Sequence, residues 1–216
     1  ALKIRPLVPV HNAEPATTRD MYRWGVERPI TVMFSDLRGF TTLAERLYPY
    51  DSVFLLNRYF EVMSQAIERH GGEVDKFLGD GIMALFGISD GKGAGSREAL
   101  LAARDMFAAL ERLNEEFATT LTERLRMGVG LHMGPAVRGR VGSERGANLT
   151  ALGDTVNTAS RLESLNKDYG SILVVSDAAL RASGFALSGA EPHEISVRGR
   201  AEMLTVHVAG EGFALG

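Results

Sequence analysis

Two carboxylates stand out by their placement. Asp36 closes the short, almost wholly apolar run PITVMFSDL (29–37), and Asp80 occupies the Gly-Asp-Gly tip of VDKFLGDGIMALFG (74–87). Each alone has an ordinary explanation. An aspartate after a strand caps the next helix, and Gly-Asp-Gly is common turn chemistry. Together they say more, because strands that follow one another usually lie side by side. Both carboxylates would then meet at one sheet edge, with no lysine in the turn to neutralise them. Like charges that close are unfavourable unless a cation sits between them. The chain has no cysteine and only five scattered histidines, which read as structural or surface residues. Oxygen donors alone favour Mg²⁺ or Mn²⁺ over zinc. Lys76 lies four residues before Asp80, about 13 Å along a strand, too far to pair with that carboxylate. Asn157 and Arg161 are four apart in DTVNTASRLESLNKD, so they share one face of a predicted helix. By itself such a pair is an ordinary solvated face.

The elements that must position these residues follow from pattern. The segment 1–28 has three prolines and no sustained period and reads as a lead-in. PITVMFSDL is a central strand. GFTTLAER opens a helix with Thr41 or Thr42 available as a cap. SVFLLNRYFEVMSQAIERHGG is a helix ended by Gly71 and Gly72. The hairpin at 74–87 comes next, then the amphipathic helix SREALLAARDMFAALERLNEEFA. LRMGVGLHMG and AVRGRVGS read as two paired strands. DTVNTASRLESLNKD is a helix with Asp154 near its N-cap, SILVVS is a strand, and one or two more lie around EISVRGRAEMLTVHVA. This order predicts an α+β class: a ferredoxin-like βααββαβ core with extra C-terminal strands, and a mainly antiparallel central sheet flanked by helices. GKGAGSREAL sits between strand and helix, as a phosphate loop would. It fits neither G-x-x-x-x-G-K-[ST] nor G-x-G-x-x-G and reads as a connector.

Composition narrows the class. A length of 216 residues suits one domain with a real core. Its 45% apolar and 24% charged residues are ordinary for a soluble globular chain. A net charge of −3 argues against nucleic acid as a partner. The absence of cysteine excludes disulfides and fits a reducing, cytoplasmic location. No run reaches the roughly 18 apolar residues that a membrane helix needs. The first residue is Ala1 rather than Met, which leaves room for an upstream sensor or membrane region outside this chain.

FSDLRGFTTLAE, VDKFLGDGIMALFG and LGDTVNTASRLES, in this order, closely resemble the three signature blocks of class III nucleotidyl cyclases. MGVGLHMGPAVRGRVG is similar to that family's strand pair, so the resemblance runs from about residue 29 to 208. It implies a catalytic domain over 29–210 with a short tail at 211–216. It further implies that Asp36, the Leu37 carbonyl and Asp80 hold two Mg²⁺ or Mn²⁺ ions. The backbone through Leu37, Gly39, Phe40 and Thr41 would turn N–H groups toward the triphosphate. Lys76 and Thr150 would contact adenine; guanylyl cyclases tend to carry glutamate at the lysine position, so Lys76 implies ATP. Many adenylyl cyclases have aspartate where this chain has Thr150. Threonine resembles a subgroup with bicarbonate-responsive members. Asn157 would orient the ribose and Arg161 would stabilise charge at the α-phosphate. Arg200, favoured over Arg198, would contact the outer phosphates in place of the family's usual lysine. The resemblance also implies a homodimer with two shared sites, metals from one protomer and base, ribose and α-phosphate contacts from the other.

The reaction implied is ATP to 3′,5′-cyclic AMP and pyrophosphate. The alternatives are a guanylyl cyclase, against which Lys76 speaks, and a catalytically silent nucleotide-binding regulatory domain. Silent members usually lose a metal aspartate or the arginine, whereas Asp36, Asp80 and Arg161 are all present. A diguanylate cyclase would carry Gly-Gly-Asp-Glu-Phe, which this chain lacks.

Overall fold

The structure, a computed structural model, describes residues 26–88, 93–141, 148–197 and 203–216. Strand β1 (Val26–Leu37) leads into a short helix α1 (Phe40–Ala44) and a long helix α2 (Pro49–Arg69). The hairpin β2 (Glu73–Leu78) and β3 (Gly81–Phe86) follows, then α3 (Ser96–Glu116), β4 (Met127–Val141) and β5 (Asn148–Leu152). Helix α4 (Asp154–Tyr169), β6 (Leu173–Ser176), α5 (Asp177–Ser183), β7 (Leu187–Ile195) and β8 (Leu204–Leu215) complete the chain. The sheet runs β2-β3-β1-β4-β6-β8-β7, with β5 also on β4. Among the described residues only the β4–β6 pairing is parallel. The expected α+β class with a mainly antiparallel sheet flanked by helices is what the chain adopts.

Alternation along β1 divides the core. Met33 and Leu37 join α2 and α3 in the larger cluster with Tyr59, Met63 and Met106. Ile30, Val32 and Phe34 point the other way, toward Met83, Leu85 and Ala159 of α4. Large apolar side chains buried this completely each contribute about 1.5–3 kcal/mol.

Several local expectations need correction. β1 begins at Val26, three residues before the expected start. Thr41 and Thr42 lie inside α1 and make no cap; Gly39, with φ 69°, turns the chain instead. Asp154 does open α4 as expected, directly after the N-cap Gly153, as a first-turn acid favourable toward the helix dipole. Residues 127–141 form one strand rather than two, and the partner of its far half is β5. Pro135 lies between the two segments expected to be separate strands. It faces Pro29 on β1 and lies between the stretches of β4 that pair with β6 and with β5. Neither proline's missing N–H is therefore needed by a neighbour. Helix α5 was not expected, and β8 continues to Leu215 through the segment read as a tail.

Candidate active site

The register of the central strands fixes the first half of the site. Ser35 pairs with Ile82, so Asp36 stands beside Gly81 and the turn that carries Asp80. A β-carbon on Gly81 would stand 3.0 Å from the Ser35 carbonyl and 3.3 Å from Asp36 Oδ1, a tight fit that favours glycine where the strands close. Asp36 has the same parity as Ile30 and Val32 and points to the α4 side of the sheet. Its carboxyl is held above the usual range, first by burial and then by the Asp80 charge, against the opposing pull of Lys167 and Arg38. The expected convergence of two carboxylates is thus present. Lys167 of α4, a cation near them, was not anticipated.

Phe40, Thr41 and Ala44 of α1 face Gly79 and Asp80 across an open cleft of about 520 Å³. The Leu37 side chain is buried, so only its backbone can serve the cleft. Arg38 N–H donates to the Arg126 carbonyl at 2.7 Å, pinning the segment that leaves β1. Among the described residues no group of three acidic or histidine side chains converges as a metal cage. Two carboxylates and a backbone carbonyl suit a hard cation that completes its shell with water and phosphate oxygens.

Lys76 and Thr150 form the second half. They are 74 residues apart, and β3, β1 and β4 lie between their strands. The far end of β4 nevertheless carries β5 across to β2, and Lys76 Nζ donates to Thr150 Oγ1 at 2.9 Å. Arg138 of β4 pairs with Glu73 of β2 on the same crossing. The Thr150 hydroxyl in turn donates to Asp75 Oδ2 at 2.7 Å. Asp75 was missed from the sequence. Strict alternation sends it to the face opposite Lys76, and only the bulge between Val74 and Lys76 changes that.

Asn157 and Arg161 lie on the exposed side of α4, opposite the buried Thr158, Ala159 and Leu162. Among the described residues neither is held by a side-chain hydrogen bond or ion pair, and nothing joins them to Asp36 or Lys76 within the chain. Arg198 and Arg200 lie outside the described residues. Glu163, one turn of α4 from Ala159, also went unnoticed. It lies 2.7 Å from Arg38 Nη2 and is lifted to about 7 by burial, which outweighs the attraction of Arg38.

Comparison with known proteins places this geometry. The family model described as adenylate and guanylate cyclase catalytic domain matches residues 25–210. The chain belongs to that family. Its catalytic domains bind a nucleotide, generally work with divalent metal ions and typically dimerise. An adenylate cyclase of Anabaena cylindrica is 35% identical over 83% of this chain and 36% of its own length. Adenylate cyclase 1 of Rhizobium meliloti is 39% identical over 69% of this chain and 22% of its own. The chain therefore spans about a third or less of these curated relatives. Among solved structures, the guanylyl cyclase Cya2 superposes with a TM-score of 0.77 at 33% identity, covering 89% of this chain and 98% of that one. The adenylyl cyclase CyaB from P. aeruginosa gives 0.75 at 28% identity, covering 87% and 96%. Among the described residues no helix is long and apolar enough to cross a membrane.

Proposed function

We propose that this chain is the catalytic domain of an adenylyl cyclase that turns ATP into 3′,5′-cyclic AMP and pyrophosphate. The observation that carries the choice of ATP is the Lys76–Thr150 hydrogen bond, which joins two separate sequence blocks into one small polar pocket suited to a purine edge. In the reaction the ribose 3′-oxygen bonds to the α-phosphorus, the bond to the β-phosphate oxygen breaks, and the 3′-hydroxyl proton passes to Asp36 or water. Asp36, the Leu37 carbonyl and Asp80 would hold two Mg²⁺ or Mn²⁺ ions, which supply charge neutralisation and a lowered 3′-hydroxyl pKa when bound. The backbone at Gly39, Phe40 and Thr41 orients the phosphates. Lys76 and Thr150 hold the base, Asn157 orients the ribose, and Arg161 stabilises charge gathering on the α-phosphate with its planar fork. Arg200 contacts the outer phosphates.

The exposure of Asn157 and Arg161, with no partner in their own protomer's described residues, supports a homodimer. Two-fold symmetry would seat the α4 face of one subunit opposite the metal carboxylates of the other, twice. The setting proposed is cytoplasmic signalling under an upstream sensor or membrane-anchored region beyond this chain. Thr150 motivates bicarbonate responsiveness; equal rates in bicarbonate and chloride at fixed pH would remove that element. The decisive test is purified protein with Mn²⁺ and ATP, scored for cyclic AMP beside Asp80→Ala. Activity that survives the substitution contradicts the metal assignment. The likeness to Cya2 keeps a guanylyl cyclase as the second reading, and faster turnover of GTP than ATP would select it.

A further inference from the structure

From the geometry around Thr150 we infer that Asp75 is the positioning residue for base selection. It locks the Thr150 hydroxyl as an acceptor, so that the pocket reads a 6-amino purine and rejects a 6-oxo purine. The inference rests on the reading of Lys76 and Thr150 as the base pocket.

The argument is a count of donors and acceptors. A hydroxyl has one hydrogen and two lone pairs, and an ionised carboxylate only accepts. Thr150 gives its hydrogen to Asp75 Oδ2 at 2.7 Å. One Thr150 lone pair receives Lys76 Nζ at 2.9 Å, and the same ammonium lies 3.2 Å from Asp75 Oδ2. One Lys76 hydrogen is then engaged in a hydrogen bond, and the ammonium is ion-paired with Asp75. What Lys76 offers a ligand is donors only, and what remains on Thr150 is one acceptor. Adenine offers the complement, an acceptor at N1 and a donor at its 6-amino group. Guanine offers the reverse, N1–H and a 6-oxo acceptor, and so meets donor with donor and acceptor with acceptor.

The lock is built, not incidental. The Asp75 side chain is only 2% exposed, whereas Lys76 remains 40% exposed and can extend a hydrogen to a ligand. In a regular strand Asp75 and Lys76 would point to opposite faces. Val74 pairs with Ala84 and Lys76 with Met83, leaving Asp75 as the extra residue of a bulge. That bulge turns both side chains to one threonine, and bulges beside sites characteristically re-aim side chains in this way.

The test is Asp75→Asn in the full chain, with kcat/KM measured for ATP and GTP. The asparagine amide can donate to Thr150 Oγ1 and release the hydroxyl hydrogen toward the pocket. The ATP-to-GTP ratio should fall at least about tenfold, because selection by paired buried polar groups is steep. The fall should disappear when the same change is made in a Thr150→Val background. A ratio that stays at the wild-type value while both activities drop together overturns the inference. If the Asp75→Asn chain does not fold, wild-type enzyme decides with purine riboside triphosphate against its 6-methoxy analogue. Both present N1 as an acceptor, and the analogue adds an acceptor oxygen at position 6. A locked hydroxyl disfavours the analogue by about tenfold or more; equal use of the two overturns the lock. Wild-type protein inactive on every nucleotide would remove the cyclase reading and this inference with it, a result distinct from an unchanged ratio.

Discussion

Arg38 Nη2 stands 2.7 Å from Glu163 Oε1 and 3.3 Å from the Glu163 carbonyl. This pair ties the segment leaving Asp36 to the helix that carries Asn157 and Arg161. In the proposed dimer those two elements serve different pockets, so the pair braces one site against the other. The packing confirms how closely it is built in: a β-carbon on Gly128 would fall 1.8 Å from Arg38 Nη2 and 2.8 Å from Glu163 Oε1.

Replacing Arg38 with leucine should destabilise the fold by about 3 kcal/mol above pH 7, because it leaves a buried carboxylate without its counter-charge. Urea unfolding at pH 8 measures this. Repeated at pH 5, where Glu163 is protonated, the same comparison should show a clearly smaller loss.

Glu163 also predicts a pH dependence of stability. Its folded pKa of about 7 lies above the ordinary 4.5, so the folded state binds the proton more tightly than the unfolded state. Stability from this group is full below about 4.5 and falls as pH rises through about 7. Against Glu163→Gln, which does not titrate, wild-type stability should decline by on the order of 2 kcal/mol over that interval. Parallel curves for the two proteins would show that the carboxyl is not perturbed.

Asp36 and Asp80 repel across the Gly81 gap. In Asp80→Asn, a carboxyl-detected NMR titration should find Asp36 moved back toward its ordinary value, with the part due to burial remaining. Cyclic AMP formation should drop by at least about 10²–10³ with the fold intact, and a chelator should abolish wild-type turnover.

Arg161→Ala should lose about 10²–10³ in kcat while its Tm hardly moves, since the side chain is exposed. Mixing it with Asp36→Ala tests the shared site. Random exchange of two-fold dimers makes half of them mixed, each with one intact pocket, so activity should recover to about a quarter of wild type. No recovery after confirmed subunit exchange would place each site within one protomer.

Much of the fold was legible because its signals are local. The apolar run ending at Asp36, the glycines flanking Asp80 and the helical period around Asn157 and Arg161 each reflect one element's own geometry. The approach of Asp36 to Asp80 also followed, although the strand beside β1 is β3, the second arm of the hairpin, rather than β2, which comes next in sequence. What failed was set by neighbours. Residues 127–141 read as two strands around Pro135 until one sees that no adjacent strand asks for its N–H. Glu163 reads as a surface helix residue until Gly128 and Gly130 let β4 approach α4 closely enough to bury it.

The sequence alone determined the kinds of group available: two hard carboxylates, a lysine out of reach of Asp80, an arginine and an asparagine on one helix face, and no thiol. The tertiary structure decided which of them meet. A bulge with no signature in residue type turned Asp75 onto the face of Lys76, and a strand bending back over the sheet brought Thr150 to both. Side-chain direction across a bulge and contact between distant strands depend on the hydrogen-bond register of the whole sheet, and no run of residues encodes that register by itself.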